Sequence, residues 1–242
     1  MAARGRLFGI RRDVWLLAVL GVAAIVLAGF LVVGRGSDTA PAASGPESGQ
    51  STEPTFGPVG DLARRIDGDP LARGTIDAPV TMVVFSDYRC PFCAKFSRDT
   101  EPQLVEKYVN SGQLRIEWRD LPLFGEQSRA AAVAGRAAGA QGKFWEFNSA
   151  LYAAAPDRGH PEFDTATLRG FAERAGVPDL DRFDRDAASA DFDRAVGSDL
   201  LEAKMLGVSS TPAFVVNGYP ILGAQPFDAF TTTIEKAAGR QP

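Results

Sequence analysis

Cysteine and histidine are scarce in this chain of 242 residues, which holds two cysteines and one histidine. A structural zinc site needs about four ligands, and an iron–sulfur cluster fails on the same count. Haem attachment needs a histidine directly after the second cysteine of a CxxC pair, and residue 94 is alanine. The one histidine, His160, lies in the Pro/Gly/Asp-rich stretch PDRGHPEFD, which is typical of a surface loop. We therefore expect neither a metal nor a cofactor.

A basic surface is missing as well. The net charge of the whole chain is −4. Residues 1–13 carry a net charge of +3, so the remaining residues carry −7. Nucleic-acid binding requires a basic face, and we expect no nucleic-acid partner. The acids between Asp179 and Asp193 alternate with arginines and lack EF-hand spacing, which predicts a solvated face with ion pairs and no calcium loop.

Residues 14–33 form a run of 20 residues without charge or proline. At a rise of 1.5 Å per residue, a helix of this length reaches about 30 Å, the thickness of the hydrocarbon core of a bilayer. The run has no polar stripe, unlike a helix on the surface of a globular core. The arginines of residues 1–13 favour a cytoplasmic N-terminus. The pattern predicts a single-pass membrane anchor with the rest of the chain outside the cytoplasm.

A cleaved signal peptide is the alternative interpretation. Its apolar region is usually about 7–15 residues long, and the nearest small-residue cleavage signal, Ala40–Ala43, contains a proline. We favour the anchor, although both interpretations export the body of the protein. Residues 34–60 are rich in Gly, Pro, Ser and Thr and predict a flexible linker. The folded domain is then expected at 61–242.

The first half of that domain predicts a strand–helix–strand unit with a parallel strand pair. Residues 80–85 (VTMVVF) are typical of a strand buried on both faces. A helix is expected from Cys90 to about Asn110, with a kink at Pro102. Residues 113–121 alternate apolar and charged side chains, which predicts a strand with one face in water. The charged positions on that face are Arg115, Glu117 and Arg119.

The second half predicts a helical insertion followed by a hairpin. Helical periodicity extends over about 126–207. Asn217-Gly218 then separates the apolar runs 213–216 and 219–222, which is a strong hairpin signal. A closing helix is expected from about residue 227.

The two cysteines carry the chemistry of this sequence. Cys90 and Cys93 stand where the first strand ends and a helix begins. Unpaired N–H groups at a helix N-terminus stabilise a thiolate at Cys90 and lower its pKa, and Arg89 adds a cation. Pro91 suits the first helical turn. Cys93 lies one turn later on the same face, so the pair can open and close a disulfide by exchange with a partner's thiols.

A purely structural disulfide is the simpler alternative. Closing a ring of about four residues stabilises a protein by only ~2 kcal/mol in the loop-entropy description, less than closing a long loop. A domain of this size also buries enough core to be stable without it. The sequence therefore favours a reactive pair.

The segment DAPVTMVVFSDYRCPFC, followed by a helical insertion and then by Thr211-Pro212 and FVVNGYPILGAQP, resembles the DsbA family of thioredoxin-fold oxidoreductases. The membrane-anchored Gram-positive type is the most similar, and the resemblance covers residues 68–238. It implies an α/β thioredoxin-like fold with an inserted helical subdomain, here with one N-terminal transmembrane helix in addition. The combination of both motifs in this order is specific, whereas the anchor and linker carry no family signal.

The resemblance also implies roles for the site residues. Cys90 would be the exposed attacking sulfur and Cys93 the buried resolving one. Pro212 would be cis and lie against the pair, and Thr211 would offer its backbone groups to an extended substrate. The expected activity is net oxidation of cysteines in exported proteins, and a membrane redox partner would reoxidise the pair. Alternatives are a reductase or isomerase of the same fold, and a non-catalytic binding module.

Two positions depart from the family. An acidic residue that assists proton transfer often stands six positions before the first cysteine, and here that position is Val84. Asp87 is the nearest carboxylate. The dipeptide between the cysteines is Pro91-Phe92, whereas strongly oxidising members carry Pro-His, so Phe92 supplies no imidazole to favour the thiolate.

Overall fold

The central strand of the sheet is buried along its whole length. In this computed structural model, which describes residues 56–239, five strands form one sheet in the order β1-β3-β2-β4-β5. The strands are β1 (Ala72–Arg73), β2 (Val80–Ser86), β3 (Leu114–Asp120), β4 (Ala213–Val216) and β5 (Tyr219–Leu222). The pair β2–β3 is parallel and all other pairs are antiparallel, which confirms the expected strand–helix–strand unit and the hairpin.

Eight α-helices accompany the sheet in the described part of the chain. They are α1 (Pro91–Asp99), α2 (Glu101–Leu104), α3 (Glu126–Gly139), α4 (Phe144–Ala154), α5 (Thr165–Arg174), α6 (Leu180–Ala187), α7 (Ala190–Met205) and α8 (Phe227–Ala237), and a π-helical turn (Val105–Val109) follows α2. The predicted kink is an interruption at Thr100, with Pro102 in the first turn of α2, where its missing N–H costs nothing. Helices α3 to α7 lie between β3 and β4, so the predicted thioredoxin-like fold with a helical insertion is confirmed.

Both faces of the sheet are covered. Val84, Trp118 and Phe214 point to one side, where they join the main core with residues of α1, α3, α4 and α8. Val83 and Phe85 point to the other side and pack with Ala203 of α7. Burial on both faces explains why the sequence of β2 is almost wholly apolar.

The prediction that β3 has one wet face is wrong. All seven of its residues are buried. Glu117 is 0 % exposed and accepts hydrogen bonds from Arg115 Nε (3.0 Å) and Arg119 Nη2 (3.1 Å). It also accepts from the backbone N–H groups of Arg64 and Arg65, each at 2.9 Å. The alternation is real, but the segment before β1 and helix α7 cover the charged face, and the charges neutralise one another there.

A second set of ion pairs connects α7 to the C-terminal end of β3. Asp199 on α7 accepts from the backbone N–H of Asp120 (3.0 Å), from Arg136 Nη2 (2.5 Å) and from Arg64 Nη2 (2.7 Å). Arg136 also donates from Nε to the Asp120 carboxylate at 2.7 Å. These contacts fix the insertion against the end of β3.

The linker predicted at 34–60 is corrected at its C-terminal end. Residues 56–60 are described, and the N–H groups of Gly57 and Val59 donate to the carbonyl oxygens of Asn217 (2.8 Å) and Gly218 (3.1 Å). A Cβ at Gly57 would lie 2.5 Å from the Gly218 backbone, so glycine permits this close approach. The segment therefore belongs to the folded body.

The N-terminal predictions concern residues that the structure does not describe. The cytoplasmic segment 1–13, the anchor 14–33 and the linker as far as residue 55 lie outside the described residues. Within 56–239, no helix is both long and apolar enough to cross a bilayer.

The buried charges of β3 generate a stability prediction. Glu117→Gln is expected to lower the free energy of unfolding by about 3 kcal/mol, because two buried guanidinium groups lose their charged acceptor. Denaturant unfolding of the oxidised protein measures the change. Glu173→Gln, on the exposed side of α5, is the control and is expected to change the free energy by less than about 0.5 kcal/mol. Equal stability of the two variants would contradict the assigned role of Glu117.

Candidate active site

The turn between β2 and α1 is held by Asp87. Its carboxylate accepts from the backbone N–H of Arg89 (2.8 Å), Leu123 (2.6 Å) and Phe124 (3.2 Å). Its carbonyl oxygen accepts from the N–H of Cys90 at 3.1 Å. The Asp87 carboxylate thus hydrogen-bonds backbone N–H groups, and these bonds fix the chain just before the cysteine pair.

Cys90 is the N-cap residue of α1, and Pro91 follows it at the first helical position. The carbonyl of Cys90 accepts from the N–H of Ala94 at 3.1 Å, which closes the first helical turn. Cys90 and Cys93 are both free thiols. The expectation of an exposed Cys90 is not met, because it is 3 % exposed against 1 % for Cys93. The neighbouring Phe92 side chain is the exposed part of the motif, at 62 %.

The pKa of Cys90 is lowered from 9.0 to about 6. The largest cause is the hydrogen bond from the Cys93 side chain to the Cys90 sulfur; burial opposes it. The Thr211 side chain and the backbone N–H groups of Cys93 and Phe92 lower the pKa further. The N–H groups of the helix N-terminus therefore contribute to the lowered pKa, but less than the Cys93 side chain does.

Cys93 has the opposite character. Burial raises its pKa well above the ordinary value, and the hydrogen bond and negative charge of Cys90 add to the increase. Hydrogen bonds with the Asp87 backbone and the Ser86 side chain lower it, but by less than burial raises it. One sulfur of the pair is thus poised to ionise and the other to stay protonated.

Thr211 and Pro212 lie against the pair although they are about 120 residues away in sequence. The Cys90 thiol donates to the Thr211 carbonyl oxygen at 3.4 Å, and the Thr211–Pro212 peptide bond is cis. The buried Thr211 hydroxyl lies beside Cys90 and makes no hydrogen bond to any other described residue, so it can donate to a Cys90 thiolate. Antiparallel pairing of Phe85 with Ala213 brings the two segments together.

This geometry is matched by known proteins. The family model described as thioredoxin matches residues 67–236. The chain belongs to the thioredoxin family. A relative named "Probable disulfide bond formation protein D", from Bacillus cereus, is 31 % identical over 67 % of this chain and 76 % of its own length. The crystal structure of oxidised BdbD from Bacillus subtilis has a TM-score of 0.68 at 26 % identity, and covers 76 % of this chain and 99 % of that one.

A further relative has a different name. A Na(+)/H(+) antiporter NhaA 1 from Salinispora arenicola is 35 % identical over 73 % of this chain, but the chain spans only 26 % of that protein's length. The disulfide bond formation protein and the BdbD structure confirm the DsbA-like resemblance expected from the sequence.

In this thioredoxin-family site, the contacts of Arg89 differ from the expected stabilisation of the Cys90 thiolate. Its guanidinium donates to the carbonyl oxygens of Pro161 (2.8 Å) and Phe124 (2.6 Å) and pairs with Glu162 at 3.4 Å. It is not among the main causes of the lowered Cys90 pKa. Arg89 thus fastens two loops beside the site.

His160 lies in one of those loops and was expected on the surface only. It is exposed, yet its Nδ1–H donates to the carbonyl of Arg89 at 2.8 Å and its ring stacks on Phe124 at 4.1 Å. Leu123, 39 % exposed, and Phe92 are further apolar side chains on this surface. Sequence analysis missed the contact because residues 89, 124 and 160 are brought together only by the insertion.

A small cavity lies beneath Cys93, and sequence analysis did not single out its polar members. Cys93 and Val84 line it together with four polar side chains, which are Ser86, Ser97, Glu101 and Tyr152. The Ser86 and Tyr152 hydroxyls hydrogen-bond at 2.8 Å. Val84 stands at the usual position of the family's acid, and it offers no proton acceptor.

The lowered Cys90 pKa predicts an unusual pH profile for alkylation. Since only the thiolate reacts, the iodoacetamide rate of the reduced protein should be half-maximal near pH 6 and flat at neutral pH. Below pH 6 it should fall about tenfold per pH unit, because the thiolate fraction does. Mass spectrometry locates the modified sulfur.

Cys90→Ala is the control for this profile, since Cys93 is deeply buried and has a raised pKa. We expect no reaction of this variant between pH 5 and about 8. A wild-type midpoint near the ordinary cysteine value of about 8.5 would contradict the assigned thiolate.

Proposed function

We propose that this chain is an extracytoplasmic thiol–disulfide oxidoreductase that introduces disulfides into exported proteins through Cys90 and Cys93. The observation that carries the proposal is the position of Cys90, at the N-cap of α1 and against Thr211, with a pKa lowered to about 6. The charge-free run 14–33 supports attachment to the membrane and the location outside the cytoplasm.

The reaction begins with the disulfide between Cys90 and Cys93. A substrate thiolate attacks the Cys90 sulfur, the ring opens, and Cys93 leaves as a thiolate that takes up a proton. A second substrate thiolate then attacks the substrate sulfur of the mixed disulfide. The substrate leaves with a new disulfide, and Cys90 leaves as a thiolate. Two electrons have passed from the substrate to the enzyme, and a membrane redox partner would remove them.

The low pKa of Cys90 favours this direction. At pH 7, a thiol of pKa about 6 is about nine-tenths ionised, which stabilises the reduced enzyme about tenfold, or ~1.4 kcal/mol. For a two-electron couple this raises the reduction potential by about 30 mV. The effect is modest, in keeping with Phe92 in place of the histidine of the strongly oxidising members.

The backbone around Thr211 supports a protein substrate. Thr211 lies just before β4, and its carbonyl oxygen is 3.4 Å from the Cys90 sulfur. An extended substrate segment can pair with the backbone groups around Thr211 whatever its sequence, because main-chain hydrogen bonds supply the affinity. The exposed Phe92 and Leu123 add apolar contacts beside it.

Trapping tests the substrate class. In Cys93→Ala, the mixed disulfide at Cys90 cannot be resolved within the enzyme, so exported cysteine-containing proteins should remain attached when the full chain is expressed in its native membrane. Non-reducing gels and mass spectrometry identify them. The double variant Cys90→Ala/Cys93→Ala is the control and should carry none. Recovery of small thiols alone would overturn the protein-substrate claim.

The reduction potential tests the direction of electron flow. Equilibration with glutathione should give a value above about −200 mV, between those of the oxidase DsbA, about −120 mV, and the reductase thioredoxin, about −270 mV. A value near that of thioredoxin would favour the reductase or isomerase instead. If Cys90→Ala kept full function in cells, a non-catalytic binding module would be the correct assignment.

A further inference from the structure

We propose that Glu101 transfers the proton to and from Cys93, in the place of the acid that the strand lacks at Val84. This inference rests on the proposed function, because it concerns the resolving step of the same reaction. It names a proton-transfer residue that lies on α2, outside the CxxC and Thr-Pro motifs.

The position of Glu101 is the first observation that supports this role. Its side chain is 9 % exposed and lines the same small cavity as Cys93. It supplies the only carboxylate among the cavity-lining residues of the described chain. Asp87 is no substitute, because its carboxylate oxygens accept from three backbone N–H groups in the turn.

Glu101 also lies between this cavity and the solvent. On its other side it lines a wide surface groove together with Ser97, Arg73 and Glu106. The carboxyl group and the Ser97 hydroxyl are therefore the two polar groups shared by the cavity and the groove. A proton released by the buried Cys93 can leave through Glu101 without any opening at the substrate face.

The charges around Glu101 suit a group that changes protonation. Burial raises its pKa, whereas Arg73 Nη1, at 3.5 Å, and the Ser97 hydroxyl, which donates at 3.0 Å, lower it. The raising effect is the larger. Arg73 also stacks on Trp145, 3.8 Å from the ring centroid, and interacts with Glu146, so Glu101 shares this cation with other groups.

The other titratable groups that line or adjoin the cavity and the groove, two tyrosines and Glu106, do not compete for this role. Burial raises the pKa of Tyr152 in the cavity and that of Tyr88 beside it well above the ordinary value, so both phenols stay protonated. Glu106 lines the groove but not the cavity. Glu101 is thus the group of this cavity that remains to exchange a proton with Cys93.

The step balances as follows. During substrate oxidation, Cys93 leaves the ring as a thiolate and takes the proton of the Glu101 carboxyl group, which becomes a carboxylate. During reoxidation, the Cys90 thiolate first attacks a partner disulfide and releases one partner thiolate. The Glu101 carboxylate then removes the Cys93 proton, the Cys93 thiolate attacks the Cys90 sulfur, and the second partner thiolate leaves.

Reoxidation by glutathione disulfide separates the two steps. In Glu101→Gln, formation of the Cys90–glutathione mixed disulfide should keep its wild-type rate, because Cys90 is untouched. Its resolution by Cys93 should slow about 10²-fold at pH 7, so the mixed disulfide should accumulate in acid-quenched samples examined by mass spectrometry. The wild-type rate of resolution should level off above the Glu101 pKa, whereas the variant rate should keep rising with pH.

Glu106→Gln is the matched control. It removes a neighbouring charge of the same groove and should resolve the mixed disulfide at the wild-type rate. Glu101→Asp, which keeps a carboxyl group, should recover most of the lost rate. Wild-type resolution and pH profile in Glu101→Gln would overturn the proposal and leave the proposed function standing. Absence of the mixed disulfide at Cys90 in Cys93→Ala, which cannot resolve it, would instead overturn the proposed function.

Infrared difference spectroscopy of the wild type keeps the inference testable if Glu101→Gln does not fold. Reduction of the disulfide should remove a protonated carboxyl band, since Cys93 takes that proton. If no carboxyl group changes protonation between the oxidised and reduced protein, Glu101 does not act as proposed.

Discussion

An ionised sulfur at the first turn of α1 is the interaction on which the rest of this structure depends. The N–H groups of Phe92 and Cys93 and the Cys93 side chain can stabilise the thiolate only because the helix begins at Cys90. Asp87 fixes that starting point by accepting three backbone hydrogen bonds. Burial works against the charge, so the balance requires each of these donors. The same burial keeps Cys93 protonated and makes the two sulfurs unequal.

The central sheet fixes the position of this turn. β2 ends directly before the turn and is buried on both faces, and β4 pairs with it so that Thr211 reaches Cys90. Behind the sheet, the charges around Glu117 and Asp199 bind β3 to α7 and to the segment before β1. Buried ion pairs are stabilising only when every member has its partner. They fix the insertion in one position, and the insertion in turn brings His160 and Phe124 beside the site.

The two halves of the active site were accessible to sequence analysis to different degrees. The CxxC pair after an apolar strand could be interpreted from local rules for helix starts. The Thr211-Pro212 half became interpretable only through the family resemblance, because no local rule connects it to Cys90. Arg89 was expected to act on the thiolate through its proximity in sequence, yet its donors reach carbonyl groups of distant loops. Glu101 gave no signal, since a glutamate near the start of a helix is ordinary.

The sequence by itself determined the elements that depend on short-range physics. These are the buried strand 80–85, the helix start at Cys90, the Asn217-Gly218 hairpin and the low pKa of a cysteine at a helix N-terminus. Only the tertiary structure decided which surfaces are covered. The sequence of β3 predicts an exposed charged face, but α7 and residues 62–66 cover that face in the folded domain. The sequence likewise suggests a surface position for Glu101, but the position of α2 places its side chain at the cavity under Cys93. Alternation in a sequence shows that two faces differ, but burial depends on neighbours that are distant in the chain.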